Sequence, residues 1–398
     1  MTRNCRTGLF FAAAAILGSG LGSGPAAAGA LDFAPIVWTS GETELRLGGY
    51  AVGAAYLRGG QDVGIDDNGA TAQARVSLRL QHMYDTGVVA GARVVALAYH
   101  DELSGDRYGN DVLEKAFVFV QMGYGTLEIG QQDGVAAQLS AVGPKVIEQI
   151  SIDDPQTTFF FDPSTGRRFD DAFRLIAANT ASANAGKINY LSPRLFGVRV
   201  GASFTPQMTK AGLPFLGNPS DAPNGQENIW EVAASYFGNF GDLALNAYAS
   251  FAQGSLRNPT PGFDDLHDWG FGVEVRYALN DAELALGGGY RITNAYALAI
   301  GRAYDGNETH VAHVSAMVTT GPWQLGAEYS DGQADGPAGI GDLHFKGTQL
   351  TAAYTVSNNL LAAAGWQWFD DTRSVGAFYD GTQALKMDAG FLSLRLSI

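Results

Sequence analysis

Thr71–Gln81 reads TAQARVSLRLQ, in which Ala74, Val76, Leu78 and Leu80 alternate with Gln73, Arg75, Ser77, Arg79 and Gln81. Side chains of a strand project to opposite faces with period two, so this stretch has one apolar face and one polar, charged face. The rhythm recurs from Glu44 to the end of the chain, where Leu392, Leu394, Leu396 and Ile398 alternate with Phe391, Ser393, Arg395 and Ser397. Charges keep to the polar register. Glu44, Arg46 and Tyr50 oppose Leu45 and Leu47, Arg93 opposes Val94 and Ala96, and Gln324 and Glu328 oppose Trp323, Leu325 and Tyr329. A single such strand would equally suit a soluble sandwich with one wet face. On a membrane barrel, a charge on the lipid face near mid-bilayer costs ~2–4 kcal/mol, so these groups would face inward.

Strand candidates fall near 43–57, 70–84, 87–100, 113–123, 125–131, 186–192, 197–205, 228–238, 242–253, 268–279, 282–293, 310–320, 322–332, 346–355, 358–369 and 386–398. Short connections such as Gly123-Tyr124-Gly125, Asn280-Asp281 and Gly321-Pro322 alternate with longer ones rich in Gly, Asp, Asn and Pro. That alternation marks an up-and-down barrel with tight turns on one rim and long loops on the other. An even strand number brings the first and last strands together and leaves no open edge. The fold expected is all-β: a transmembrane, antiparallel, up-and-down β-barrel of about sixteen strands, wide enough for an aqueous channel.

The N-terminus sets the compartment. Arg3 and Arg6 precede the apolar run Leu9–Leu17, which is too short to span a bilayer, and Ala26-Ala27-Ala28 offers a small-residue cleavage site. Residues 1–28 therefore read as a removed secretory signal, with cleavage after residue 30 as the near alternative, and 29–398 as one barrel domain. Cys5, the single cysteine, lies in the removed part, so thiol chemistry and disulfides are not expected. No later apolar run reaches the ~18 residues that a membrane helix needs. The formal charge is −15, and loss of Arg3 and Arg6 deepens it. Nucleic acid is an unsuitable partner for such a chain, because neutralising phosphates takes clustered Lys and Arg. The acid belongs in loops or in a water-filled lumen.

Aromatic residues gather near strand ends, among them Tyr56, Tyr84, Tyr277, Tyr329, Tyr354, Trp366 and Trp368, as the girdles of a membrane barrel do. The segment 132–185 loses the alternation, and a stretch this long in a compact domain is usually functional. It carries Asp133, Glu148, Asp153, Asp154, Asp162, Asp170 and Asp171, with Arg167, Arg168 and Arg174. Phe159-Phe160-Phe161 is too hydrophobic for a free loop and reads as an anchor against the barrel wall. Enzyme readings are thin. His310 and His313 resemble a metal pair, but a spacing of three places them on opposite faces of a strand. No cofactor is expected. Calcium held by loop carboxylates is the one metal that the acids suit, since hard cations take several oxygen ligands.

Leu113–Gln132, LEKAFVFVQMGYGTLEIGQQ, resembles the segment of Gram-negative general porins in which two strands meet at a tight turn and lead into the constriction loop. Lys187–Phe204, KINYLSPRLFGVRVGASF, resembles their next strand pair, with Tyr190, Ser192-Pro193 and Gly197. The resemblance implies a homotrimer of sixteen-stranded barrels in the outer membrane, among lipid and lipopolysaccharide, with the third long loop folded inward. It also implies acids on that loop facing a basic wall, here Arg46, Arg75, Arg79 and Arg93. Two positions depart from the family. Gly130-Gln131 replaces its usual Gly-Arg, which removes one wall arginine, and Ile398 replaces its terminal phenylalanine. The function expected is a water-filled channel for passive diffusion of small hydrophilic solutes and ions, with no bond chemistry and with cation preference from the excess acid. The alternative is a solute-selective channel with a luminal site for a sugar, a dicarboxylate or an inorganic ion.

Overall fold

A computed structural model of the chain describes residues 36–59, 68–100, 113–153, 159–160, 175–208, 225–259, 261, 264–294, 308–334, 343–375 and 381–398. Its strands are β1 (Ile36–Ser40), β2 (Thr43–Gly59), β3 (Asn68–Met83), β4 (Val89–His100), β5 (Leu113–Met122), β6 (Gly125–Gln131), β7 (Gly186–Leu191), β8 (Val198–Gln207) and β9 (Gly225–Phe240). There follow β10 (Leu243–Arg257), β11 (Leu266–Leu279), β12 (Ala282–Thr293), β13 (Thr309–Thr320), β14 (Trp323–Ala334), β15 (Leu343–Ser357), β16 (Leu360–Val375) and β17 (Gly381–Ser397). Among the described residues a short helix, α1 (Val135–Gln138), and a single 3-10 turn at Glu148–Ile150 sit between β6 and β7.

Each strand from β2 to β17 pairs antiparallel with its sequence neighbours, and β17 pairs with β2, so sixteen strands close on themselves. Closure satisfies every ladder group between strands, which a bilayer requires. The short β1 was not foreseen. It pairs Ile36–Ser40 with Leu47–Thr43 of β2, while β17 takes the rest of β2 from Tyr50 to Gly59. Between them Ile398 and Gly49 exchange two backbone hydrogen bonds of 3.0 and 3.1 Å. The edge of β2 is thus covered by both ends of the described chain.

Burial runs opposite to that of a soluble sandwich. Leu78, Leu80, Val200, Val232, Leu286, Leu325 and Leu392 are exposed on the outside. Gln73, Asn189, Glu231, Asp268, Arg291, Glu328 and Gln349 are buried within. Apolar side chains that remain uncovered in register, strand after strand, make a lipid-facing wall. Trp230, Trp269, Tyr277, Tyr290, Trp323, Tyr354, Trp366 and Trp368 belong to it. Tyr56, expected in the girdle, instead points inward and is buried. No described helix is long and apolar enough to cross a membrane.

Candidate functional site

The segment that follows β6 lies on the inner wall. Five wall glycines make the bed. A β-carbon at Gly272 would stand 2.2 Å from the Ala141 carbonyl, one at Gly287 2.5 Å from Gly143, and one at Gly326 2.5 Å from Val146. Gly289 and Gly347 meet Val142 and Leu175 in the same way. Strands that crowd large side chains into a lumen would push this loop off the wall; glycines let backbone approach backbone.

Polar ties fix the loop along its course. The Val135 amide donates to Ser203 Oγ at 2.8 Å, and the Ala136 amide to the Glu231 carboxylate at 3.1 Å. Ser151 Oγ donates to Glu328 at 2.6 Å. On the return path the Tyr248 hydroxyl donates to the Ala177 carbonyl at 3.2 Å, and Asn179 Nδ2 to the Asp268 carbonyl at 3.0 Å. Arg291, paired with Asp268 at 2.5 Å, also reaches the Ile176 carbonyl. The far end is held by aromatic packing. Phe159 stacks on Tyr56 with centroids 5.1 Å apart and lies 5.5 Å from Phe391, while Phe160 meets Phe369 edge-on at 5.1 Å. Phe159 and Phe160, expected from the sequence as an anchor, make these ring contacts with the wall; Phe161 lies outside the described residues.

The loop therefore runs round the inner wall of β8–β17, reaches Tyr50 of β2 through a Gln149 hydrogen bond, and turns back. The wall it leaves open is basic. Arg46, Arg79 and Arg93 stand directly opposite one another on β2, β3 and β4, one row across three strands. Arg46 has a 58 % exposed side chain and pairs with Glu44 at 3.2 Å. The Arg79 guanidinium lies 4.8 Å over Phe119, and Arg93 Nε donates to Ser77 Oγ at 3.2 Å. Arg75 pairs with Glu114 at 2.5 Å and covers one side of Tyr50, with Arg395 also over the ring.

The loop acids divide. Asp133 pairs with Lys115 at the loop's root. Glu148 is exposed near the tip. Asp153 does not face the lumen as expected: it is fully buried, pairs with Lys145 at 2.9 Å and accepts the Ala177 amide at 2.8 Å. Its burial follows from the return path folding over it. Asp154, Asp162, Asp170, Asp171, Arg167, Arg168 and Arg174 lie outside the described residues. Gln131, at the departure from the family pattern, donates to the Leu113 and Glu114 carbonyls and is buried, so it lends the lumen no charge.

Sequence reading missed Glu114, Lys115 and Arg395. An irregularity opposite Val95 turns both Glu114 and Lys115 inward, although strict alternation sends neighbours to opposite faces. Arg395 was visible in the polar register of the last strand but was not singled out. His310 and His313 do lie on opposite faces, the first against Tyr290 outside and the second against Ser330 inside. Among the described residues no group of three His, Asp or Glu could hold a metal.

The barrel can be set beside known proteins. No curated protein sequence matches this chain. Among solved structures it is similar to OmpT, an outer membrane protein of Vibrio cholerae in its trimer form, at 14 % identity and TM-score 0.54, covering 89 % of this chain and 99 % of that one. It is similar to an anion-selective porin from Comamonas acidovorans at 15 % identity and TM-score 0.57, over 90 % and 100 % of the two chains. A mutant of Rh. blastica porin aligns at 15 % identity and TM-score 0.51, over 89 % and 100 %. At such identity these likenesses speak for the fold alone. The family match carries the assignment: with residues 12–374 matching the Gram-negative porin family, a closed sixteen-stranded barrel and a loop laid inside it, the chain belongs to the Gram-negative porins and is an outer-membrane channel.

Proposed function

We propose that the protein is a general diffusion channel for small hydrophilic solutes and ions, with residues 132–185 as its constriction. The observation that carries this reading is the lumen's division into two unlike halves: a loop seated on β8–β17, and an arginine row on the wall left open. Solutes cross by diffusion, with no covalent step. Fixed charges on either side of a narrow aqueous gap order water and favour polar solutes over apolar ones. Cation preference rests on the formal charge of −15, which enriches cations at the mouths. The arginine row opposes it locally, so the preference is weaker than the charge alone would give. Zero-current potentials across a potassium chloride gradient test the sign; anion preference at low salt overturns it.

A homotrimer accompanies this reading, as in the trimer form of the Vibrio cholerae relative. Its support here is the outer wall of β2 and β3, where Ala51, Gly53 and Ala55 face Ala74, Ala72 and Ala70 in register. That smooth patch suits close contact with a second copy. The signal reading of residues 1–28 predicts a purified chain that begins at residue 29, checked by intact mass.

A further inference from the structure

We propose that the mouth of the barrel on the side of the short turns carries a binding site for phosphate monoesters, formed by Arg194 and Arg199; this rests on the channel reading above. Two tight connections lie side by side there, residues 123–124 between β5 and β6 and residues 192–197 between β7 and β8, with β6 paired to β7. Between them opens a hollow of about 300 Å³, whose wall includes Gln121, Thr126, Ser192, Pro193, Arg194 and Arg199 and contains no acid. The hollow belongs to the lumen. Arg199 shares its parity with Ser203, which is buried inside, whereas Val198 and Val200 are exposed on the outer wall. Gln121 shares the inner register of Phe119, the ring beneath Arg79. Arg194 folds over Phe237, 5.9 Å from the ring centroid, and Phe237 stands in the inward register of β9 with Glu231 and Ser235.

The donor set identifies the ligand. Arg199 Nε donates to the Ser192 carbonyl at 3.0 Å, and Arg194 Nη1 to the Gly197 carbonyl at 2.8 Å, so both guanidiniums are held in place with donors left over. Neither has a carboxylate partner among the described residues, whereas Arg75, Arg257, Arg276 and Arg291 each have one. Two uncompensated forks select an oxyanion over a halide, because paired N–H groups match two oxygens of one phosphate. A phosphate monoester brings about −1.5 to −2 charge at neutral pH and three acceptor oxygens. The hollow has room for more than the bare anion, at the lower end of small-molecule sites, and Gln121 and Thr126 offer an amide and a hydroxyl to a short polyol. Position gives the site its role. Arg93 stands opposite Phe117, and Gln121 lies four residues nearer the short turn, about 13 Å along β5. Short turns face the periplasm in such barrels. A phosphate ester that has passed the arginine row therefore meets a second basic station before it leaves.

The test titrates the full mature chain, in mild detergent at low salt, with glycerol 3-phosphate, inorganic phosphate and glycerol, and reads binding by calorimetry. The parent is expected to bind the ester, to bind inorganic phosphate more weakly and to leave glycerol unbound. An Arg194→Gln/Arg199→Gln variant, with strand content by circular dichroism as the check on its barrel, should bind the ester at least tenfold more weakly. If that variant fails to assemble, Arg194→Gln alone, at an exposed turn, takes its place with an expected loss of at least threefold. No binding of the ester by the parent, equal affinity for glycerol or for inorganic phosphate, or unchanged affinity in the glutamine variants overturns the site. Loss of binding in Arg46→Ala/Arg79→Ala/Arg93→Ala, with full binding kept by the glutamine variants, would move the ester to the arginine row and overturn it as well. Calorimetry does not depend on conduction. A parent that binds the ester as expected yet conducts no potassium chloride in a planar bilayer would uphold the site and count against the channel reading.

Discussion

Replacing Asp153 with alanine leaves the Lys145 ammonium beside a buried gap and strips the Ala177 amide of its acceptor. Breaking one partner of a buried ion pair costs ~3–5 kcal/mol, and here the loss falls on loop seating, not on the barrel ladders. Limited proteolysis should cut the loop of Asp153→Ala faster than that of the parent, while the barrel keeps its resistance to detergent. Glu148→Gln makes the opposite test. An exposed substitution of this kind stays within about 0.5 kcal/mol in stability, yet it removes a negative charge near the proposed constriction. Zero-current potentials should move towards anions. Equal protease sensitivity in the first variant would show that the Asp153 pair does not hold the loop.

At the scale of elements, the loop and its wall fit each other through missing side chains. Gly272→Leu puts a branched side chain where the Ala141 carbonyl already stands 2.2 Å from a β-carbon, and Gly326→Leu does so against Val146. Neither site can absorb the volume by a rotamer change, because backbone or a packed valine is the obstacle. Each variant should therefore displace the loop into the aqueous gap and lower single-channel conductance, with strand content by circular dichroism unchanged. Gly123→Ala, where nothing lies within 4 Å, is the control that should conduct like the parent. Phe159→Ala removes a fully buried ring between Tyr56 and Phe391. Truncation of this size costs ~3–5 kcal/mol, which should raise open-channel noise as the far end of the loop comes loose.

For the whole molecule, the governing quantity is the competition between an acidic chain and a basic inner wall. Arg46→Ala/Arg79→Ala/Arg93→Ala takes three cations from the uncovered wall and leaves the mouths unchanged. Cation preference should rise, and the difference from the parent should shrink as salt shortens the screening length from ~10 Å at 0.1 M to ~3 Å at 1 M. An unchanged reversal potential would place the controlling charges elsewhere. Assembly is a second whole-molecule quantity. Ala72→Trp sets a bulky ring at the centre of the smooth patch formed with Gly53, so trimers should give way to monomers on native electrophoresis. Trimers that persist would move the contact to another face.

Period two, repeated over some sixteen segments joined by alternately short and long connections, was enough to determine the barrel, because a side chain's face depends on its parity along a strand and a bilayer does not tolerate charge on its own side. Arg75, Arg79 and Arg93 point inward for that reason, and Phe159 and Phe160 declared themselves by being too apolar for water. Parity says nothing about what crosses the lumen. That Arg46, Arg79 and Arg93 line up in one row depends on strand stagger, which inter-strand pairing sets. That Glu114 joins Lys115 on the inner face depends on an irregularity between β4 and β5. Asp153 and Glu148 look alike as loop acids, yet one is buried in an ion pair and the other meets solvent. Only the folded path of the loop separates them. The glycines at 272, 287, 289, 326 and 347 are scattered over four strands and share no local signal. They become one surface only when the sheet closes and brings their inner faces under the loop.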